Sequence, residues 1–379
     1  MDKPEVSVVM VVCNVDRFLG EAIESILGQT FKQFEFIIVD FGSTDDSKAI
    51  VSNYAARDGR IKLHEIPHCG LAEARNVAGF LARGRYIALM DADDVSLPAR
   101  LMQEVEFMDR HPEVGVLGGA KEWIDATGRR LFVNGDPTDD REIRSALCTR
   151  CAFCQPTVLV RREAFVGVGG YRPPFAPAED YDLWLRLAEH FQLANLKQVV
   201  LRYRIHPHQV SFRKRRQQTL SVLAAQVSAT SRKSGNLDPL DGVGEITPAL
   251  LTRLGVPAAR QHTAFASDCR DWIRNMYLAG EYSVALEAAL EILQSPDVAG
   301  AEARQIADLW LAAARLHRKQ KQYAKSLLAI ARAVRTRPVL VARPLGQLLR
   351  RLESASGRRH GERHIADPRI PDTVRQHER

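Results

Sequence analysis

A short apolar run, Tyr86-Ile87-Ala88-Leu89-Met90, ends abruptly in Asp91-Ala92-Asp93-Asp94. Carboxylates this close repel one another unless a cation lies between them. One or two carboxylates together with phosphate oxygens are the usual ligands of Mg²⁺ or Mn²⁺. In an open α/β sheet, the carboxyl end of a strand is also where ligands bind. The same residues can instead form an acidic turn and helix N-cap, so the spacing leaves both alternatives open. A second chemical motif is the run Cys148, Cys151 and Cys154, spaced C-x₂-C-x₂-C. It has no following Cys-Pro partner and leads straight into Gln155-Pro156-Thr157, so these three read as unligated thiols rather than a zinc or cluster site.

The elements that must hold the acidic turn are legible upstream. Val6 to Val12 is a nearly unbroken β-branched run, as expected of a strand covered on both faces. Asp16 can cap a helix whose Phe18, Leu19, Ala22, Ile23, Ile26 and Leu27 share a face, closed by Gly28. Phe36 to Val39 reads as a second strand, Ile61 to Ile66 as a third and Tyr86 to Met90 as a fourth. A helix is expected over Gly70 to Leu81, and another opens at Pro98 after Ser96. This alternation predicts a doubly wound, mostly parallel α/β sheet. The middle, 114–215, is mixed: strands over Val114–Leu117, Thr157–Val160 and Val199–Tyr203, and a helix over Asp182–His190.

After about Phe212 the pattern is helical. Residues 232–257 are rich in glycine and proline and read as a linker. Four helices are expected from Thr263 to Val334, paired as two hairpins. Tyr282 and Tyr323 lie 41 residues apart in echoing segments, which resembles tetratricopeptide-like hairpins. The expected organisation is a catalytic domain over 1–215, a helix and linker over 216–262, helical hairpins over 263–352 and a disordered basic tail over 353–379.

At 379 residues, with 45% apolar and 26% charged residues, the chain has ordinary globular composition and room for two domains. No apolar run reaches a membrane span, and no basic-then-apolar leader opens the sequence. The six cysteines are then expected to be reduced and the chain cytoplasmic. The net charge of +7 is matched by nine Arg against two Glu in 332–363, with a second cluster at Arg213-Lys214-Arg215-Arg216. Charge gathered beside Val339-Leu340-Val341 and Leu345 to Leu352 fits a helix at the inner face of an anionic membrane, or a solvated tail. It does not form the basic stripe of a nucleic-acid binder.

Several segments then converge. Val6-Ser7-Val8-Val9-Met10, Asn14, Asp40-Phe41-Gly42-Ser43-Thr44-Asp45, Gly70-Leu71-Ala72-Glu73-Ala74-Arg75-Asn76 and Asp91-Ala92-Asp93-Asp94 follow the order of family 2 glycosyltransferases. Gln155-Pro156-Thr157, Arg161-Arg162, Gly169-Gly170-Tyr171, Glu179-Asp180-Tyr181-Asp182-Leu183-Trp184-Leu185-Arg186 and Tyr203-Arg204-Ile205-His206 continue the series. Over about residues 4–215 the chain resembles that family, which implies the GT-A fold, a nucleotide-diphosphate sugar donor and a Mn²⁺ or Mg²⁺ cofactor. The resemblance assigns the donor nucleotide to Val11, Asp40, Arg75 and Asp91, the ribose falling to Asp91. It assigns the metal to Asp93 and His206, and the catalytic base of an inverting displacement to Asp180. Glu179, Asp94 and Asn76 would support them, Glu179 by raising the pKa of Asp180 through like-charge repulsion. It further implies a UDP-sugar as the first donor to test, a saccharide or lipid-linked saccharide acceptor, and a cell-envelope or exopolysaccharide pathway.

Each residue has a plainer alternative. Asp180 can cap its helix, His206 can be an ordinary loop histidine, and Arg75 can pair with Glu73 or Asp91. Trp184 reads as core packing. The family usually carries a second Asp at Phe41, Pro or Thr at Val11 and Tyr at Cys13, all near the nucleoside. The metal and base motifs are intact, so the enzyme reading leads; the departures motivate an alternative, an impaired GT-A scaffold that binds a biosynthetic partner, or a second copy of itself, through the helices. Nucleotidyl transfer is disfavoured, because Cys13-Asn14-Val15-Asp16-Arg17 is no phosphate-gripping glycine loop.

Overall fold

The structure, a computed structural model, describes residues 3–207 and 214–340. The first half follows the expected alternation: β1 (Val6–Val12), α1 (Asp16–Leu27), β2 (Phe34–Asp40), α2 (Ser47–Ala55), β3 (Ile61–Glu65), α3 (Leu71–Leu81) and β4 (Tyr86–Met90). Next come β5 (Val95–Ser96), α4 (Arg100–Arg110), β6 (Val114–Ile124), β7 (Arg130–Asn134), α5 (Asp140–Leu147), β8 (Leu159–Arg161), α6 (Arg162–Gly167), α7 (Glu179–Leu187) and β9 (Gln192–Arg204). The strands form one sheet ordered β3-β2-β1-β4-β8-β6-β9-β5, with β7 on β6. The pairings β1–β2, β2–β3, β1–β4 and β6–β9 are parallel, while β8 runs antiparallel between β4 and β6.

The unbroken apolar strands have a simple cause. Val6, Val8, Met10 and Val12 enter one core with Leu19, Ile23, Leu101 and Met108 from α1 and α4. Val9 enters the opposite core with Ala78, Phe165 and Trp184 from α3, α6 and α7. Both faces are thus covered, as a parallel sheet requires. Trp184 is fully buried, as core packing demands.

Several boundaries need correction: the helix expected over Asp182–His190 spans Glu179–Leu187, and the strand expected over Thr157–Val160 is Leu159–Arg161. The strand expected over Val114–Leu117 continues to Ile124. Gly118 and Gly119 suggest a stop but instead permit close approach: a Cβ on Gly118 would lie 2.1 Å from Asn195 Oδ1, and one on Gly119 2.5 Å from Val200 Cγ2. The strand expected over Val199–Tyr203 begins earlier, at Gln192, and register shifts opposite Gly119 and Ala120 blur its alternation.

The remaining helices are α8 (Arg215–Lys233), α9 (Pro248–Arg253), α10 (Ala258–Ala279), α11 (Tyr282–Gln294), α12 (Ala303–Lys319) and α13 (Tyr323–Thr336). The last four are the expected hairpins, and Tyr282 and Tyr323 each open the second helix of their pair. The Gly/Pro-rich segment is packed rather than free, with Ile246, Leu251 and Val256 in the same core as Trp184. The hairpins also dock on the sheet domain. Their core of Trp272, Ile273, Met276 and Leu309 includes Ile205 and takes Trp123 and Leu131 against it. In the mid-chain basic cluster, Arg215 lies 4.8 Å over the Trp272 ring and Arg216 pairs with Asp297 at 2.8 Å. Among the described residues no helix is long and apolar enough to cross a membrane. Most of the basic apolar stretch read as a membrane helix, and the tail read as disordered, lie outside the described residues.

Candidate active site

The acidic turn leaves the sheet at the carboxyl end of β4. Behind it, the fully buried Arg100 donates from Nη2 to the carbonyls of Leu89 (3.0 Å) and Val158 (3.3 Å) and from Nε to Glu104 (3.0 Å). Strand β4 is thereby tied to the start of β8 before the turn begins.

The three carboxylates are divided among separate partners. Asp91 Oδ1 accepts from Arg75 Nη2 at 3.2 Å. Asp93 Oδ2 lies 2.9 Å from His206 Nε2. Asp94 Oδ1 accepts the backbone N–H of Arg204 at 2.8 Å, while its buried Oδ2 has no partner among the described residues. The Arg204 side chain returns to the turn, donating to the Asp93 carbonyl (2.8 Å) and to Glu21 Oε2 (2.6 Å). The end of β9, and so His206, is fastened to the turn at several points. Burial raises the pKa of Asp91 against the pull of Arg75, and raises that of Asp94 well above its usual range with help from Asp93 and Asp91.

Asp93 and His206 together offer one oxygen and one nitrogen donor, and no cluster of three ligands exists among the described residues. That set fits Mg²⁺ or Mn²⁺ held jointly with substrate phosphates rather than in an all-protein cage.

Arg75 stands on α3, mostly buried, between two walls. It pairs with Asp91 on one side and Glu179 on the other, and with its amide oxygen turned inward Gln155 accepts from Nε and Nη2, each at 2.8 Å. Burial pulls its pKa down, but Glu179 and Asp91 more than offset this and hold it above the usual value. The structural pairing with Asp91 is therefore present, and the one with Glu73 is not. Glu179 is fully buried and its Oε2 lacks a partner among the described residues.

Asp180 follows in the first turn of α7, where negative charge is favoured by the helix dipole. The N-cap position is Ala178, so the capping alternative for Asp180 does not describe this helix; its Oδ1 accepts the N–H of Tyr181 at 2.7 Å. Burial first, and then the charge of Glu179, push its pKa up to about 7.

Asp180, Arg75, Asp91 and Asp93 line one cleft of about 430 Å³. Val11, Cys13 and Phe41 line it too, so all three departures from the family pattern meet there. Phe41 stacks on His68 with centroids 6.1 Å apart. Asp40 sits behind Phe41: its Oδ1 accepts from the N–H groups of Gly42 (3.0 Å) and Ser43 (2.9 Å), and its Oδ2 is buried without a partner among the described residues. Asn76 lies outside the cleft lining and clamps the Tyr171 backbone through two 2.8 Å bonds. That clamp is why Gly170, at φ +67°, must be glycine: a Cβ would lie 2.5 Å from Asn76 Oδ1.

No role was expected of Lys121, Trp123, Phe153, Gln218 or Val222, which also line the cleft, as does Tyr203. Lys121 and Trp123 lie on the part of β6 hidden behind the glycine pair. Lys121 donates to Asp136 at 3.1 Å, and Tyr203 meets Trp123 edge-on at 4.9 Å. The cysteine run separates: Cys151 and Cys154 line the cleft, whereas Cys148 lines a different pocket between α5 and α8.

Residues 7–168 match the model of glycosyl transferase family 2. The chain is 33% identical over 210 residues to the uncharacterized glycosyltransferase MJ1057 of Methanocaldococcus jannaschii, covering 54% of this chain and 72% of that one. It is 32% identical over 212 residues to the Escherichia coli protein named UDP-Glc:alpha-D-GlcNAc-diphosphoundecaprenol beta-1,3-glucosyltransferase WfaP, covering 55% and 80%. The crystal structure of S. aureus TarS 1-349 superposes with a TM-score of 0.50 over 86% of this chain and 90% of that one, at 17% identity, a likeness of fold alone. The matched family model spans the strands that deliver Asp40 and the acidic turn, and the identity to a glycosyltransferase extends over most of that protein's length: the chain belongs to glycosyltransferase family 2.

Proposed function

We propose that this glycosyltransferase moves a sugar from a nucleotide-diphosphate donor, a UDP-sugar being the first to test, to a hydroxyl of a saccharide or lipid-linked saccharide, with inversion. The observation that carries this is the cleft in which Asp180, with its pKa near 7, shares space with Asp91 and Asp93. A carboxylate of that pKa is matched to removing a proton near neutrality. Asp180 takes the acceptor proton as the acceptor oxygen bonds to the anomeric carbon and the bond to the diphosphate oxygen breaks. One displacement inverts that carbon.

Asp93 and His206 would hold Mn²⁺ or Mg²⁺, which would supply positive charge to the departing diphosphate. Asp91, oriented by Arg75, accepts from a ribose hydroxyl, while Asp40, behind Phe41 and outside the cleft lining, orders the turn beside the nucleoside through the Gly42 and Ser43 backbone. Arg75 thus acts on the nucleotide through Asp91. The name of the E. coli relative, with its lipid-diphosphate acceptor, supports a cell-envelope or exopolysaccharide role at the inner membrane face.

A thermal-shift screen of nucleoside diphosphates with and without Mn²⁺ tests this. Stabilisation by at least one nucleotide only with the cation, lost in Asp93→Ala, is expected. Cation-dependent stabilisation that survives Asp93→Ala would overturn the metal assignment. No stabilisation by any nucleotide would favour the impaired scaffold.

A further inference from the structure

Far from the acidic turn in sequence, α10 and α12 enclose a groove of about 520 Å³. Four arginines line it, Arg270 and Arg274 from α10 and Arg315 and Arg318 from α12, against two acids, Asp271 and Asp308. Both acids are engaged by Arg270, at 2.9 Å and 3.4 Å. Arg274, Arg315 and Arg318 are exposed and have no ion pair among the described residues. Lys319 adds a further charge beside the groove, 5.6 Å from the ring of Tyr277. The floor is apolar: Ile273 and Leu316 are buried, and Leu311 is half-buried between the arginines. Converging guanidiniums over an apolar floor repel one another until an anion arrives, and guanidinium favours paired contacts with carboxylates.

We propose that this groove docks an acidic segment of a partner protein, with an apolar side chain on the floor and carboxylates on Arg274, Arg315 and Arg318. The chain's own C-terminal stretch is the wrong occupant, since residues 341–379 carry nine Arg against five acids. A phosphodiester polymer would leave the apolar floor uncovered. A bilayer surface cannot descend between two helices. The groove volume is that of a built pocket rather than a flat patch.

Fluorescence anisotropy of the full chain with a fluorescein-labelled octapeptide of Asp and Glu around one Leu and one Phe tests the proposal. Saturable binding is expected, weakened by added salt. The variant R274E/R315E/R318E loses affinity by at least about tenfold. The charge-matched control R57E/R141E/R253E, at exposed sites elsewhere, binds as the parent does. Circular dichroism confirms folding, and R315Q/R318Q replaces the triple variant if that fails to fold. Absence of saturable binding, or equal loss in the control, would overturn the proposal. So would arginine-dependent binding of polyphosphate or of phosphatidylglycerol vesicles without peptide binding.

Discussion

A single carboxylate, Asp180, carries the sharpest consequences. Its pKa near 7 arises from burial and the adjacent Glu179, so the charged base is lost as pH falls through 7. Transfer at saturating substrate is expected to decline below that pH, and a pH–rate profile checks it. Asp180→Asn should lower kcat by about 10²–10⁴-fold while nucleotide binding, measured by calorimetry, persists. The linkage has a definite sign. A carboxyl whose folded pKa exceeds its unfolded value of about 3.9 favours the folded state at low pH, and that stability is lost as pH rises through 7. Asp180→Asn is therefore expected to melt higher than the parent at pH 8. A lower melting point there would mean that burial of the charge is not what shifts the pKa.

Elements meet at Arg75, where α3, the end of β4 and the start of α7 converge. It pairs with Asp91 and Glu179 at once, which separate elements bring within reach. Arg75→Met would leave the buried Glu179 and the half-buried Asp91 uncompensated. A loss of about 3–5 kcal/mol in denaturant unfolding is expected, together with weaker nucleotide binding. Arg75→Lys should recover only part of both, because an ammonium cannot reproduce the planar fork shared among Asp91, Glu179 and Gln155. The strands that deliver the acidic turn were readable because both-face burial writes a continuous apolar run. The cleft wall on β6 was not. Gly118 and Gly119 carry no side chain to mark alternation, and their reason for being glycine is another strand's Asn195 and Val200.

At the scale of the molecule, the helical hairpins are part of the catalytic domain's surroundings rather than an appendage. Ile205, next to His206, lies in the hairpin core with Trp272, and Trp123 belongs at once to the cleft wall and to that core's edge. Trp272→Ala is expected to cost about 3–5 kcal/mol of stability. It should also weaken cation-dependent nucleotide binding, since it loosens the seat of Ile205, next to His206. Two resolved unfolding transitions with unchanged binding would show instead that the hairpins are energetically separate.

Order and local chemistry were in the sequence: the ends of the first four strands, the acidic turn, a helix just after Asp180 and the paired hairpins follow from apolar periodicity, turn residues and the spacing of carboxylates; that the helix starts early enough to hold Asp180 in its first turn does not. These are properties of neighbours along the chain. Convergence was not. The sequence could not choose between Asp91 and Glu73 as the partner of Arg75, or assign Asp94 to the backbone of Arg204, or bring Lys121 and Trp123 to face Asp180. These partners lie from 16 to 110 positions apart. Only the packed sheet, with β8 and β9 beside β4 and β6, sets those separations. The shifted pKa of Asp180 follows from that packing, since burial and the fixed orientation of Glu179 exist only once the cleft has formed.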